Sequence, residues 1–354
     1  MSRFLDSRFR ELEPYVPGEQ PAGGYIKLNT NEFPFPPAPG VRRALAALEE
    51  ETPALYPDPE AGTLIRALAA HYGVASEEVF LGNGSDEVLA FAFMAFCGKD
   101  RGVAFPEVSY GFYPVYAALL GIDALRVPLR PDWSIDLEPY AGCGRTVFIA
   151  NPNAPTGLAL PSEAIERLLQ SNPGCPVVAD EAYVDFGASS SVPLTARYDN
   201  LLVVQTFSKS RGLAGARLGY AIGNRELIQD LNTMKFSFNP YSVNRFSMAA
   251  GLAALEEGEY YRDRCRQIQA IREETMEALS RLGFEGTPSA ANFLFVRHPG
   301  VPGRRLYEKL RERGVLVRHF GGAKLQDYLR ISVGTPEQMT ALTAALEQIL
   351  EEER

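Results

Sequence analysis

Between residues 41 and 222 the chain alternates two hydrophobic patterns. Stretches near 41–50, 61–72 and 85–97 repeat their apolar positions at the three- and four-residue spacing of a helix with one buried face. Between and after them lie short apolar runs: Arg101–Phe105 (RGVAF), Thr146–Ala150 (TVFIA), Pro176–Ala179 (PVVA), Leu201–Thr206 (LLVVQT) and Leu218–Ile222 (LGYAI). They are nearly continuous rather than alternating, as expected when helices cover both faces of a parallel sheet. Repetition of strand and helix predicts a doubly wound, mostly parallel α/β layer.

From about residue 242 the pattern changes. One long, charge-laced helical stretch runs to roughly 280, followed by Asn292–Arg297, a helix near 303–313, Val315–Arg318, Tyr328–Val333 and a closing helix from Pro336. This reads as a smaller α+β unit. At the other end, Pro14, Pro17, Pro21 and the pair Gly23-Gly24 mark the first 24 residues as an extended arm. The expected organisation is an N-terminal arm over 1–40, a large domain over 41–240 and a small C-terminal domain over 241–354.

Charge narrows the partners. With 35 basic against 44 acidic residues, net −9, the chain lacks the basic face that nucleic acid or an anionic membrane requires. The longest apolar run, Val88–Cys97, is about half the roughly 20 residues of a membrane span. The opening MSRFLDSRFRELEPY has no apolar core of a secretory leader. Cys97, Cys143, Cys175 and Cys265 are scattered without a Cys-x-x-Cys pair, and are expected as free thiols in a reducing cytoplasm. His71, His298 and His319 lie far apart, so no metal is expected.

Four segments could carry chemistry. Thr206 to Gly219 (TFSKSRGLAGARLG) places Lys209 just beyond an apolar strand among hydroxyls, glycines and Arg217, where α/β sheets bind ligands. Such surroundings suit a phosphate beside a lysine that carries a carbonyl compound. Val177–Tyr183 (VVADEAY) ends a strand on Asp180, an acid able to pair with a cationic ring nitrogen. Leu81–Glu87 (LGNGSDE) opens a helix whose free N–H groups form an anion site. It is no dinucleotide fingerprint, because Glu87 stands where the last glycine is needed. Asn151–Gly157 (NPNAPTG) is a sharp turn with two candidate cis X-Pro bonds. Each segment alone also fits an ordinary role: surface lysine, strand-ending acid, helix N-cap, plain turn.

Their order and spacing resemble the fold-type-I pyridoxal-phosphate aminotransferases over nearly the whole chain, with YLRISVG near the C-terminus completing the series. Leu12–Gly18 (LEPYVPG), Leu28–Glu32 (LNTNE) and Leu55–Pro59 (LYPDP) look like the histidinol-phosphate aminotransferase subgroup. The resemblance implies a cytoplasmic homodimer with shared active sites, its arm packing on the small domain and the partner subunit. Its substrates would be small molecules, with no nucleic acid or membrane partner. The cofactor would be pyridoxal 5'-phosphate and the reaction transamination between L-histidinol phosphate and 2-oxoglutarate in L-histidine biosynthesis.

Residue by residue, the same resemblance implies that Lys209 carries the cofactor, Asp180 pairs with its ring nitrogen and Tyr183 hydrogen-bonds its ring oxygen. Tyr110 would stack on the ring. The phosphate would take the N–H groups of Gly84, Ser85 and Asp86, together with Thr206 or Ser208, Arg217, and Tyr56 from the neighbouring subunit. Arg330, Arg318 and Tyr15 would meet the substrate anion. One departure concerns the turn, which in the family usually reads Asn-Asn-Pro-Thr-Gly. The second Asn, which contacts the cofactor oxygen, falls on Ala154, so either Asn153 supplies the amide or Tyr183 acts alone, and Asn153 is favoured. The other departure is Asn31-Glu32-Phe33-Pro34-Phe35-Pro36 in place of Asn-Glu-Asn-Pro-Tyr-Gly, which alters how the arm packs beside the substrate.

Competing readings on this scaffold are an aromatic or broad-range aminotransferase and a phospho-amino-acid decarboxylase. A cofactor-binding transcription regulator would need a helix-turn-helix segment and a basic face, which the arm and the net −9 do not provide.

Overall fold

The computed structural model describes residues 2–49 and 52–353. In the arm, Ile26–Lys27 form β1. Then follow β2 (Val79–Asn83), β3 (Val103–Pro106), β4 (Ala124–Val127), β5 (Thr146–Ala150), β6 (Val177–Asp180), β7 (Leu201–Thr206) and β8 (Leu218–Gly223). β2 to β8 form one seven-stranded sheet in the order β2-β8-β7-β6-β5-β3-β4, and β8 alone runs antiparallel to its neighbours.

The continuous apolar runs have a simple cause. Successive strand side chains point to opposite faces, and here both faces are covered. Val147, Ile149, Val177, Ala179, Leu201 and Val203 enter one core. The residues between them, Phe148, Val178, Leu202 and Val204, enter another, beneath the helices Gly84–Phe96 and Phe112–Leu120. β4, at the sheet edge, is mostly accessible, which is why its sequence gave no apolar signal.

The C-terminal part adds β9 (Glu285–Gly286), β10 (Phe293–Arg297), β11 (Val315–Leu316), β12 (Arg318–His319) and β13 (Tyr328–Ser332). β12-β13-β10-β9 make a second, antiparallel sheet. The run expected as a single strand over 315–318 is divided: β11 pairs in parallel with β1, whereas β12 pairs with β13. The arm is thus woven into this unit, with Leu28 N–H donating to Leu316 O and Leu28 O accepting from Ser332 N–H.

The long helix expected from about 242 to 280 is two helices, Arg245–Glu256 and Gly258–Arg281. Glu257 leaves helical geometry at the junction, and its carboxylate accepts from Gly40 N–H at 3.0 Å. The following glycine is a poor helix former. The first of these helices buries Ala250, Ala253 and Ala254 in the large core. Residues from Cys265 onward enter the small unit's core, so packing passes from one unit to the other near Tyr261 rather than near 240. Phe33 of the arm touches both cores. Among the described residues no helix is long and apolar enough to cross a membrane.

Phe148 is fully buried, its ring 4.2 Å from that of Phe93 and 5.7 Å from that of Tyr113. Phe148→Ala should cost about 3–5 kcal/mol of unfolding free energy, measured by denaturant titration of the apoprotein. A loss below about 1 kcal/mol would contradict this packing.

Candidate active site

β2, β3, β5, β6 and β7 run parallel, so their carboxyl ends meet along one edge of the sheet. The chain places β4 on one side of β3 and β5 on the other, creating the crevice where open α/β sheets bind ligands. One pocket opens there, with the arm and the small sheet forming its far wall.

Asp180 closes β6, and burial pushes its carboxyl up to about 6. Tyr113 Oη donates to Asp180 Oδ2 at 2.8 Å, and Ala182 N–H lies 3.3 Å from Oδ1; both bonds oppose the upward shift by favouring the anion. Beyond β7, Thr206, Ser208 and Lys209 line the pocket, with Lys209 Nζ donating to Thr30 O at 3.2 Å. The Tyr183 ring stands 5.6 Å from that amine.

Ser85 and Asp86 begin the helix Gly84–Phe96, so their N–H groups lack partners within it. Arg217 approaches from the β7–β8 connection in a left-handed conformation and pairs with Asp86 Oδ2 at 2.8 Å. Tyr110 Oη donates to the other oxygen of Asp86. Space is tight here: a Cβ on Gly84 would stand 2.5 Å from Arg217 Nη2, and one on Gly219 would stand 2.2 Å from Ser85 N. The clash at Gly219 is with backbone and Gly84 has φ of 77°, so both positions favour glycine.

On the small sheet, Arg318 of β12 and Arg330 of β13 are directly opposite one another. Like charges facing across strands are unfavourable. Arg318 donates to Val16 O at 2.8 Å and Pro17 O at 3.2 Å, and Arg330 Nη2 donates to Asn29 O at 3.1 Å. Arg330 Nε is buried without a partner, and burial depresses the guanidinium's proton affinity. Tyr15, stacked on Phe112 at 4.4 Å, lines the same pocket.

Of the sequence-nominated residues, three stand outside the pocket lining. Gly84 lies behind it, as the hinge that lets Ser85 and Asp86 reach it. Asn153 is buried, with its amide nitrogen bonded to Val108 O and Thr156 Oγ1 and its oxygen to Ser109 Oγ. The expectation that Asn153 replaces the missing amide is therefore corrected: Ala154 occupies the wall, and Asn153 points into the turn with both cis prolines beside it. Tyr56 is on the surface, 75% exposed and stacked on Tyr241 at 4.6 Å, with its carbonyl held by Arg245.

Two neighbours went unassigned in the sequence. Tyr113 lies in the first turn of the helix Phe112–Leu120, whereas Tyr110 precedes that helix, so helical periodicity does not link them. Asn31, which bonds Tyr183, lies 152 residues away in the chain, and no local pattern links them.

The model of the family aminotransferase class I and II matches residues 24–346. A histidinol-phosphate aminotransferase of Chromohalobacter salexigens is 51% identical over 99% of both chains. Histidinol-phosphate aminotransferase 1 of Bradyrhizobium diazoefficiens is 50% identical over 99% of this chain and 100% of that one. A crystal structure of histidinol-phosphate aminotransferase from Sinorhizobium meliloti in complex with pyridoxal-5'-phosphate superposes with a TM-score of 0.88 at 27% identity, covering 99% of this chain and 100% of that one.

Glu181, next to Asp180, points to the opposite face, where Ser190, Ser191 N–H and Gln205 donate to it; burial still pushes its carboxyl up to about 7. An acid with raised proton affinity in the fold adds stability while protonated. That contribution is complete below the ordinary carboxylate range and is lost as pH climbs through the raised value. The apoprotein should therefore lose thermal stability between about pH 4.5 and about pH 7, and Glu181→Gln should flatten that slope. Melting curves of both proteins across this range measure it, and parallel curves would contradict the assignment.

Proposed function

The chain belongs to the aminotransferase class I and II family, and from that premise we propose that it transfers the amino group between L-histidinol phosphate and 2-oxoglutarate, giving imidazole-acetol phosphate and L-glutamate in L-histidine biosynthesis. The family's cofactor is pyridoxal 5'-phosphate, and the pocket's donor set fits it. The glycines at 84 and 219 leave free helix-start N–H groups beside Arg217, which suits a phosphate. An amine and a buried carboxylate, Lys209 and Asp180, line the same pocket. When bound, the cofactor supplies an electron-withdrawing ring that acidifies the C–H bond of the amine-bearing carbon.

The protein's own residues do the rest. Lys209 would hold the cofactor through Nζ, and its free amine would take the proton from the amine-bearing carbon of the substrate. Asp180 keeps the ring nitrogen protonated, with Tyr113 fixing its second oxygen. Tyr183 donates toward the ring oxygen, and Tyr110 covers the ring face. Ser85 and Asp86 N–H, the Thr206 or Ser208 hydroxyl and Arg217 take the phosphate. Arg330, Arg318 and Tyr15 receive the substrate's own anion.

The opposed pair Arg318 and Arg330 is the observation that carries the substrate class. Two guanidiniums facing each other, one with a buried unpartnered Nε, call for an anion with several acceptor oxygens. A phosphate ester meets this in one half-reaction and the carboxylates of glutamate in the other, because arginine binds either bidentately. The exposed Tyr56–Tyr241 stack supports a homodimer in which Tyr56 serves the neighbouring subunit's phosphate site.

A half-reaction tests the assignment. L-Histidinol phosphate should bleach the visible band of the pyridoxal 5'-phosphate form rapidly, and 2-oxoglutarate should restore it. Faster bleaching by L-phenylalanine would transfer the chain to the aromatic aminotransferases, and release of CO2 from a phosphorylated amino acid, which carries a carboxylate as well as a phosphate, would mark a decarboxylase.

A further inference from the structure

Tyr183 carries one O–H donor, and the residues around it decide where that proton points. Asn31 is buried in the arm with φ of 54°, a left-handed conformation that asparagine tolerates better than most residues. Its N–H donates to Ser332 Oγ at 2.8 Å, and Ser332 Oγ donates back to Asn31 Oδ1 at 3.0 Å. Asn292 Nδ2 donates to Asn31 O at 3.1 Å, completing the clamp. Because Oδ1 already accepts from Ser332, the other end of the amide is the NH2 group. That group faces Tyr183 Oη at 3.0 Å, as donor. Among the described residues no other side chain is hydrogen-bonded to this phenol. Tyr183 Oη therefore accepts from Asn31, and its own proton is left for the pocket side.

We propose that Asn31 is a positioning residue for transamination: by donating to Tyr183 Oη it directs the Tyr183 proton toward the cofactor's ring oxygen. This rests on the reading of Tyr183 given above. The neighbouring amides are engaged elsewhere: Ala154 presents a methyl group, the Asn153 amide donates to Val108 O and Thr156 Oγ1, and the Asn29 amide donates to Glu19 O. Ser332 ends β13, the strand that also carries Arg330. The strand that receives the substrate anion thus also clamps the residue that orients the phenol.

The test reads the pH midpoint at which the holoenzyme's visible band changes, independently of turnover. A hydrogen bond donated to the ring oxygen draws off negative charge that would otherwise help hold a proton on the neighbouring nitrogen contributed by Lys209. Weakening that bond should raise the midpoint. Asn31→Asp keeps the shape and can accept from Ser332 but cannot donate to Tyr183; it takes the tyrosine's proton instead. Asn31→Gly removes the amide while preserving the positive φ. Each is measured in the parent and in Tyr183→Phe.

Asn31→Asp should raise the midpoint by about half a unit more in the parent than in Tyr183→Phe, and Asn31→Gly should show the same sign with a smaller excess. If Asn31→Asp does not retain cofactor, the glycine pair decides by the same comparison. Equal shifts in both backgrounds would overturn the proposal. A Tyr183→Phe midpoint unchanged from the parent would instead overturn the reading of Tyr183 on which it rests.

Discussion

Arg330 is a partly buried guanidinium whose Nε is fully enclosed, and among the described residues no carboxylate pairs with it. Sheet register makes its position worse, because Arg318 stands directly opposite on the adjacent strand. Desolvation and a like charge both act against such an arrangement. What partly offsets them is the arm. Carbonyl oxygens of Val16, Pro17 and Asn29 accept from the two arginines, and the arm reaches them because β1 pairs with β11. Arg330 Nε remains buried without a partner. The small sheet and the arm together hold these two cations side by side at the pocket.

The large sheet solves a complementary problem. Its parallel strands bring separate pieces of chain to one edge: the acid from β6, the lysine after β7, the helix start after β2 and the aromatic residue after β3. Asp180 and Glu181 are adjacent in sequence yet face opposite sides, so one serves the pocket and the other ties β6 to β7 through Gln205. Asn31 joins the two units chemically, since its amide touches Tyr183 of the large unit and Ser332 of the small one.

Much of this was legible in the sequence for physical reasons. Strands buried on both faces must be apolar throughout, so β5, β6 and β7 announced themselves, whereas β4, on the accessible edge, did not. Lys209, Asp180 and the GNGSDE helix start stand out through their order and spacing, since each alone also fits an ordinary strand end or helix start, and the fold brings them to one pocket. Asn153 misled because adjacency in sequence does not reveal direction. Its amide nitrogen bonds Val108 O and Thr156 Oγ1, contacts that arise only when the turn packs against the segment that follows β3. Asn31 was visible within LNTNE but its partner was not, because the contact with Tyr183 depends on the arm crossing between units.

On the proposed function, Arg318 and Arg330 hold the phosphate of the amino donor in one half-reaction. Comparing kcat/KM for L-histidinol phosphate with that for L-histidinol isolates the phosphate itself, because the two donors share every other atom of the amino-alcohol and imidazole. Two or more charge-assisted hydrogen bonds predict a loss of at least about a hundredfold for L-histidinol. Values within about threefold of each other, less than one such bond provides, would contradict the claim and leave the arginine pair to carboxylates alone.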